Sequence, residues 1–189
     1  MAAMHVFPTF DDGPDPVWTP RLLDTLGEVG WRAMFFVIAP LADSHPEIVE
    51  RMLREGHKVE FHCYRHVAHE DMSAEEGELD ARRGVGLLRA RFGDGLISRW
   101  RPPYGSRADW QDEVAARLGL RLTRWTIDTL DWDGRPAEEM ATAIRPSLRL
   151  GSILLMHDGV GPGALRQGAD ETLRLVELLA RDGVESLAF

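Results

Sequence analysis

The sequence predicts a parallel α/β architecture in a single domain, residues 1–189, and three observations carry that reading. Short apolar runs of strand character alternate with helical patterns from end to end, giving about seven βα units. No linker or repeat interrupts them. The polar clusters Asp11-Asp12, His62 with His66, Arg101, Asp128 with Asp131, and His157 all fall at or just past the C-terminal ends of expected strands. In a parallel barrel those ends share one face, so the clusters would meet there.

A first strand is expected over Met4 to Phe10. Thr19 as N-cap and Pro20 at N1 open a helix with Leu22, Leu23, Leu26 and Val29 on one face, ended by Gly30. The strand Ala33 to Ile38 follows. A second helix begins near Ser44 and Pro46, carries Ile48, Val49, Met52 and Leu53, and stops at Gly56 before the strand Lys58 to His62. Ser73 with Glu76 forms a capping box for a helix that ends near Gly93, with Gly77, Gly84 and Gly86 weakening its middle. A short strand into Trp100-Arg101, a helix from Asp109 to Leu118 ended by Gly119, and a strand from Leu122 to Asp128 come next. A helix after Pro136, the strand Ser152 to His157, a helix over Asp170 to Arg181 and a last strand, Val184 to Phe189, complete the pattern.

Composition narrows the function. An apolar fraction of 44% and a charged fraction of 28% are those of a folded globular domain. The net charge of -9, with arginines scattered among carboxylates, argues against a nucleic-acid partner. Apolar runs such as Ala33 to Leu41 are too short to span a bilayer, so no membrane partner is expected. Met1-Ala2-Ala3-Met4 has neither a charged n-region nor a long apolar stretch, which makes a cytoplasmic location the expectation unless a leader has been trimmed. Cys63 is the only cysteine, so a disulfide within the chain and a thiolate zinc cage are excluded. Any metal would be held by histidine and carboxylate.

Two adjacent carboxylates at a strand end, Asp11 and Asp12, repel each other unless a cation sits between them or one stays protonated. In isolation they read as solvated turn residues before Gly13-Pro14. His62 and His66, four apart, are expected to present both imidazoles on one side of a helical turn, within reach of one ion. With a carboxylate they make a two-His-one-Asp set with positions left for water and substrate. A divalent ion in such a set polarises a carbonyl oxygen and lowers the pKa of water toward about 7, which is hydrolytic chemistry.

These residues, with Thr9-Phe10-Asp11-Asp12-Gly13-Pro14 and His62-Cys63-Tyr64-Arg65-His66, make the chain resemble the NodB-type polysaccharide deacetylases, carbohydrate esterase family 4. Ala33-Met34-Phe35-Phe36-Val37, His45-Pro46-Glu47, Gly56-His57, Arg101-Pro102-Pro103-Tyr104-Gly105, Asp128-Thr129-Leu130-Asp131-Trp132 and Gly151-Ser152-Ile153-Leu154-Leu155-Met156-His157-Asp158 extend the likeness over nearly the whole chain. The resemblance implies an irregular (β/α)7-type barrel and a metal-dependent deacetylase that hydrolyses the N-acetyl group of an amino sugar or related small acetamide. It implies Asp12, His62 and His66 as ligands of one divalent ion, with zinc expected and cobalt, nickel or manganese fitting the same donors.

By the same resemblance Asp11 is the general base, held and kept ionised by Arg101, and His157 is the general acid, oriented by Asp131. The backbone N–H of Tyr104 would meet the developing oxyanion, while Trp132 and Leu155 would wall an apolar slot for the acetyl methyl. Asp128 would be a second support. Cys63 stands where the family has Ser or Thr, whose hydroxyl steadies the metal loop, and is expected to be a buried filler. Glu60-Phe61 replaces Gly-Asn and is expected to reshape the interior or the metal's surroundings. His5, His45, His57 and His69 are assigned to structure or surface, and Trp31, Trp110 and Trp125 to the core. A catalytically silent sugar-binding or regulatory domain, and an amidase or deformylase for a non-sugar N-acyl group, remain the alternatives. The oligomeric state is open.

Overall fold

The computed structural model describes residues 4–159 and 168–187. Among the described residues, eight parallel strands make one sheet: β1 (Met4–Asp11), β2 (Met34–Ile38), β3 (Lys58–Cys63), β4 (Arg99–Trp100), β5 (Arg121–Leu122), β6 (Ile127–Asp128), β7 (Ser152–His157) and β8 (Val184–Ser186). The order is β5-β4-β3-β2-β1-β7-β6, with β8 paired to the first half of β1. The helices described between them are α1 (Trp18–Val29), α2 (Ala39–Ser44), α3 (Pro46–Arg54), α4 (Ala74–Phe92), α5 (Gln111–Arg117), α6 (Ala137–Ile144) and α7 (Ala169–Arg181). Among the described residues no helix is long and apolar enough to cross a membrane.

Side chains on a strand alternate between faces. Val6 and Phe10 of β1, Phe35 and Val37 of β2, Val59 and Phe61 of β3, Trp100 of β4, and Leu154 and Met156 of β7 belong to the apolar core shared with the helices. The intervening residues, Thr9, Asp11, Phe36, Glu60, Leu155 and His157, lie on the other face. Strands three places apart in a flat sheet are about 14 Å apart. Arg101, at the end of β4, nevertheless donates to Thr9 Oγ1 at 2.8 Å and Asp11 Oδ1 at 2.7 Å on β1. The sheet is therefore curled, and since β5 and β6 are its two edges it is a half-barrel rather than a closed one.

The structure corrects several expected boundaries. Helix α1 begins at Trp18, ahead of the expected Thr19 cap, because Asp15 Oδ1 accepts the N–H groups of Val17 and Trp18 at 2.8 Å. A carboxylate there out-competes the Thr19 hydroxyl as a cap, and Thr19 Oγ1 donates to Asp158 instead. The short α2 was not expected. The strand expected over Leu122 to Asp128 is broken into β5 and β6, because the carbonyl groups of Thr123 and Arg124 turn toward the Arg101 guanidinium at 3.4 and 3.5 Å. The last strand ends at Ser186, and residues 188 and 189 lie outside the described residues.

Helix α4 keeps its capping box and runs unbroken through its glycines. A Cβ at Gly77 would stand 2.1 Å from Trp110, and one at Gly84 would stand 2.3 Å from Phe61. Those glycines let the helix press directly onto neighbouring rings. Trp31 is core and Trp110 packs against it, but Trp125 is only half-buried, 5.6 Å below the Arg101 guanidinium.

Candidate active site

β1 and β7 lie side by side with Asp11 directly opposite His157. The loops that follow are locked together: Asp158 donates its N–H to the Asp11 carbonyl at 3.1 Å, and a Cβ at Gly159 would strike the Asp12 carbonyl oxygen at 2.4 Å. Two polar groups are built on this junction, one around Asp12 and one around His157.

In the first, the Nε2 atoms of His62 and His66 stand 3.1 and 3.0 Å from Asp12 Oδ1. One donor atom from each residue falls within 4.8 Å of the others. His62 occupies the irregularity in the β2–β3 ladder, where Ile38 pairs with Cys63 rather than with the residue after Phe61. A bulge of this kind re-aims a side chain. His66 is not on a helical turn, which corrects the expectation from its spacing: it follows a bend at residues 64 and 65, whose N–H groups donate to Asp80. Burial works against charge on Asp12, but the two imidazoles overrule it and hold the carboxyl well below the usual carboxylate range.

Asp12 Oδ1 is buried and accepts no hydrogen bond among the described residues. A carboxylate oxygen aimed between two imidazole nitrogens, and otherwise unsatisfied, is a site that a cation would complete. One oxygen and two nitrogen donors suit zinc and its divalent neighbours, so these three residues fit the expected metal.

Beside it, Asp11 is held by the fully buried Arg101, whose guanidinium also lies 4.0 Å over the Phe36 ring. Thr9 accepts a second bond from the same guanidinium nitrogen, and its own hydroxyl donates to the Leu154 carbonyl at 2.6 Å. Tyr104 is 69% exposed, with its ring edge-on to His66 at 4.7 Å between ring centroids and its backbone at φ 58°. Among the described residues the non-glycine positions with positive φ are Asp12, Tyr104 and Leu130. Asp12 is an expected ligand, Tyr104 the expected oxyanion donor, and Leu130 precedes Asp131. Strain of this kind costs on the order of 1–3 kcal/mol per residue and persists where the surroundings enforce it.

In the second group, His157 donates from Nδ1 to Asp131 Oδ1 and from its backbone N–H to Oδ2, both at 2.8 Å. Thr172 on α7 donates to the same Oδ2 at 2.8 Å. With Nδ1 committed to a carboxylate, Nε2 is the ring nitrogen left for other partners. Burial disfavours the imidazolium, but Asp131, with smaller help from Asp12 and Asp11, raises the His157 pKa to about 9. Leu155 is buried two residues before His157 on the same face, and Trp132, 56% exposed, follows Asp131 at the rim. Asp128 accepts the Leu130 N–H at 2.9 Å, which shapes the turn into Asp131.

The chain and its fold have known counterparts. The sequence profile of the polysaccharide deacetylase family matches residues 2–123. The chain belongs to that family. A chitooligosaccharide deacetylase from Sinorhizobium fredii is 37% identical over 172 residues, covering 86% of this chain and 76% of its own. A peptidoglycan-N-acetylglucosamine deacetylase from Bacillus cereus is 32% identical over 167 residues, covering 87% of this chain and 59% of its own. Among solved structures, a family 4 carbohydrate esterase from Streptomyces lividans in complex with acetate matches with a TM-score of 0.83 at 27% identity, over 98% of this chain and 93% of that one.

The departures of this polysaccharide deacetylase family member from the familiar motifs now have physical accounts. Cys63 is buried beside the site, where burial pushes its thiol well up and leaves it a small filler. Glu60 accepts the N–H groups of Ser98 and Arg99 at 2.6 Å and pairs with the Arg99 guanidinium at 3.2 Å, so it fastens β3 to β4 below the site. Phe61 points the other way, onto Gly84 and Trp100. His69 is buried between Trp100 and Trp110, accepts from Gln111 Nε2 at 2.7 Å, and has its pKa lowered to about 4 by burial. His57 is likewise internal, its Nδ1 accepting the Ala33 N–H at 3.1 Å.

Thr172 and Asp80 had no signal in the sequence, since each sits inside a helix and reaches the site through tertiary packing. Thr9, Asp158 and Thr19 were in or near the quoted motifs, but nothing local announced their bonds.

Proposed function

We propose that this chain is a metal-dependent N-deacetylase acting on an N-acetylated amino sugar of the kind its relatives are named for, a chitooligosaccharide or peptidoglycan N-acetylglucosamine unit. The observation that carries the reading is the buried, unsatisfied Asp12 oxygen facing two imidazoles, next to a carboxylate locked on arginine and opposite an imidazole locked on a carboxylate. Asp12, His62 and His66 would hold a divalent cation, and the chemistry it would supply there is Lewis-acid polarisation of the acyl oxygen and acidification of water.

Asp11, held by the Arg101 guanidinium, takes a proton from the attacking water as its oxygen bonds to the acyl carbon. The backbone N–H of Tyr104 donates to the acyl oxygen as negative charge gathers there. Protonated His157 then delivers its Nε2 proton to the amide nitrogen as the C–N bond breaks, giving the free amine and acetate. Asp131 supports that step by keeping the imidazole charged and in one orientation. Leu155 and Trp132 line the acyl slot, and exposed Tyr104 and Trp132 offer faces to a sugar ring.

The test is acetate release by metal-loaded protein from a panel of N-acetylated chitooligosaccharides, peptidoglycan fragments and simple acetamides. Release from the saccharides above the acetamides is expected. Release of formate or a longer acyl group in preference to acetate would redirect the reading to another amidase. Tight saccharide binding with no release from any compound would replace it with a silent sugar-binding domain.

A further inference from the structure

The bend that leads into His66 is fixed by a side chain outside the sequence motifs of the site. Asp80 lies in the interior of α4, with its side chain only 2% exposed. Its Oδ2 accepts the consecutive N–H groups of Tyr64 and Arg65 at 3.2 and 3.3 Å, and its Oδ1 accepts Arg65 Nε at 2.8 Å. Those two N–H groups belong to the segment between His62 and His66, and a bend of this kind has no ladder or helix partner for them. The helix that carries Asp80 is itself seated closely: Gly84, one turn on, faces Phe61 and the Tyr64 Cβ, so α4 cannot drift from the end of β3. Cys63 brings no hydroxyl that could bind the bend from inside.

We infer that Asp80 is the positioning residue of the metal centre, setting where His66 presents Nε2 relative to His62 and Asp12. This rests on the metal-dependent reading above. The Arg65 end of the contact is a weak part of it, because that side chain is 53% exposed and its ion pair is screened by water. The backbone bonds carry the effect. A carboxylate that orders the segment between two ligands acts on cation affinity in the way that outer-shell partners do, at about 10–100-fold.

The experiment is cobalt(II) titration of the metal-free protein, followed by the visible absorption of the bound ion, for the natural chain and for Asp80→Ala, Asp80→Asn and Arg65→Ala. Affinities are expressed per folded molecule, with the folded fraction taken from circular dichroism. Asp80→Ala is expected to lose about 10–100-fold in cobalt affinity and to shift the absorption bands. Asp80→Asn keeps one oxygen for the two N–H groups and should lose clearly less, and Arg65→Ala should stay within about twofold. If Asp80→Ala does not fold, a measurable loss of affinity in folded Asp80→Asn with none in Arg65→Ala supports the inference. Unchanged affinity and bands in the folded Asp80 variants overturn it, whatever their melting temperatures. A natural chain that takes up no cobalt overturns the metal reading itself, and the inference with it.

Discussion

The two halves of the site are finished to different degrees. Around His157 the polar atoms are matched: both Asp131 oxygens are engaged, by the imidazole, by the His157 N–H and by Thr172. Around Asp12 the geometry is equally tight, yet a buried carboxylate oxygen faces two ring nitrogens without a hydrogen bond. The His157 half is pre-organised by protein alone, while the Asp12 half fits a cation. On the proposed function the contrast would separate groups that move protons from groups that hold an ion, and it can be broken variant by variant.

The largest effect is expected for Asp11→Asn, which should lower kcat by about 10²–10⁴-fold and leave the metal content of the purified protein unchanged. Asp12→Ala should lose the ion altogether. Elemental analysis of the two after gel filtration decides between the carboxylates, and a metal-free Asp11→Asn protein would show that the division drawn between them is wrong.

Asp131→Asn should act on the other half, lowering kcat without affecting metal content. It should also move the alkaline limb of the pH–rate profile. His157 stays protonated until pH passes through about 9, because Asp131 outweighs the effect of burial. With that charge removed burial prevails, and the limb should fall below the ordinary histidine value of about 6.5. The same shift carries a sign for stability. A pKa raised in the folded state stabilises fully below about 6.5 and loses that contribution as pH rises through about 9. The melting temperature of the natural chain should therefore decline over that window more than that of Asp131→Asn.

The smallest of these effects is on the melting temperature at fixed pH. Zinc at about one hundred times its Kd should stabilise by about 2.7 kcal/mol, or roughly 5–11 °C for a chain of this size. Differential scanning calorimetry should find that increment intact in Asp131→Asn and missing in Asp12→Ala. Loss of the increment in both would mean that the two halves are not independent.

Much of this site was legible because its chemistry is written in short segments. Asp11 and Asp12 are neighbours at a strand end, His62 and His66 flank one short bend, and Asp131 and His157 close two adjacent strand regions. What was not legible depends on partners distant in sequence. The bend at His66 could not be told from a helical turn by spacing, because Asp80 decides it from another element. The strand predicted over Leu122 to Asp128 looked continuous in its apolar pattern, but Arg101 draws two of its carbonyl groups out of line. At α1 two capping residues competed within one turn, and composition alone could not rank Asp15 above Thr19. Glu60 was visible as a departure, yet only the β3–β4 contact shows that it holds strands together.

The pairing of Asp11 with His157 across β1 and β7 ties activity to strand register. Because neighbouring residues on a strand point to opposite faces, a slip of one position would turn His157 and Leu155 toward the helices and bring Met156 to the concave side. A molecule misaligned in this way could retain most of its helical content and still bind an ion through Asp12, His62 and His66. Spectroscopic helicity and metal uptake would both count it as native. Only turnover distinguishes it, so after refolding the recovered specific activity measures the fraction of chains in correct register.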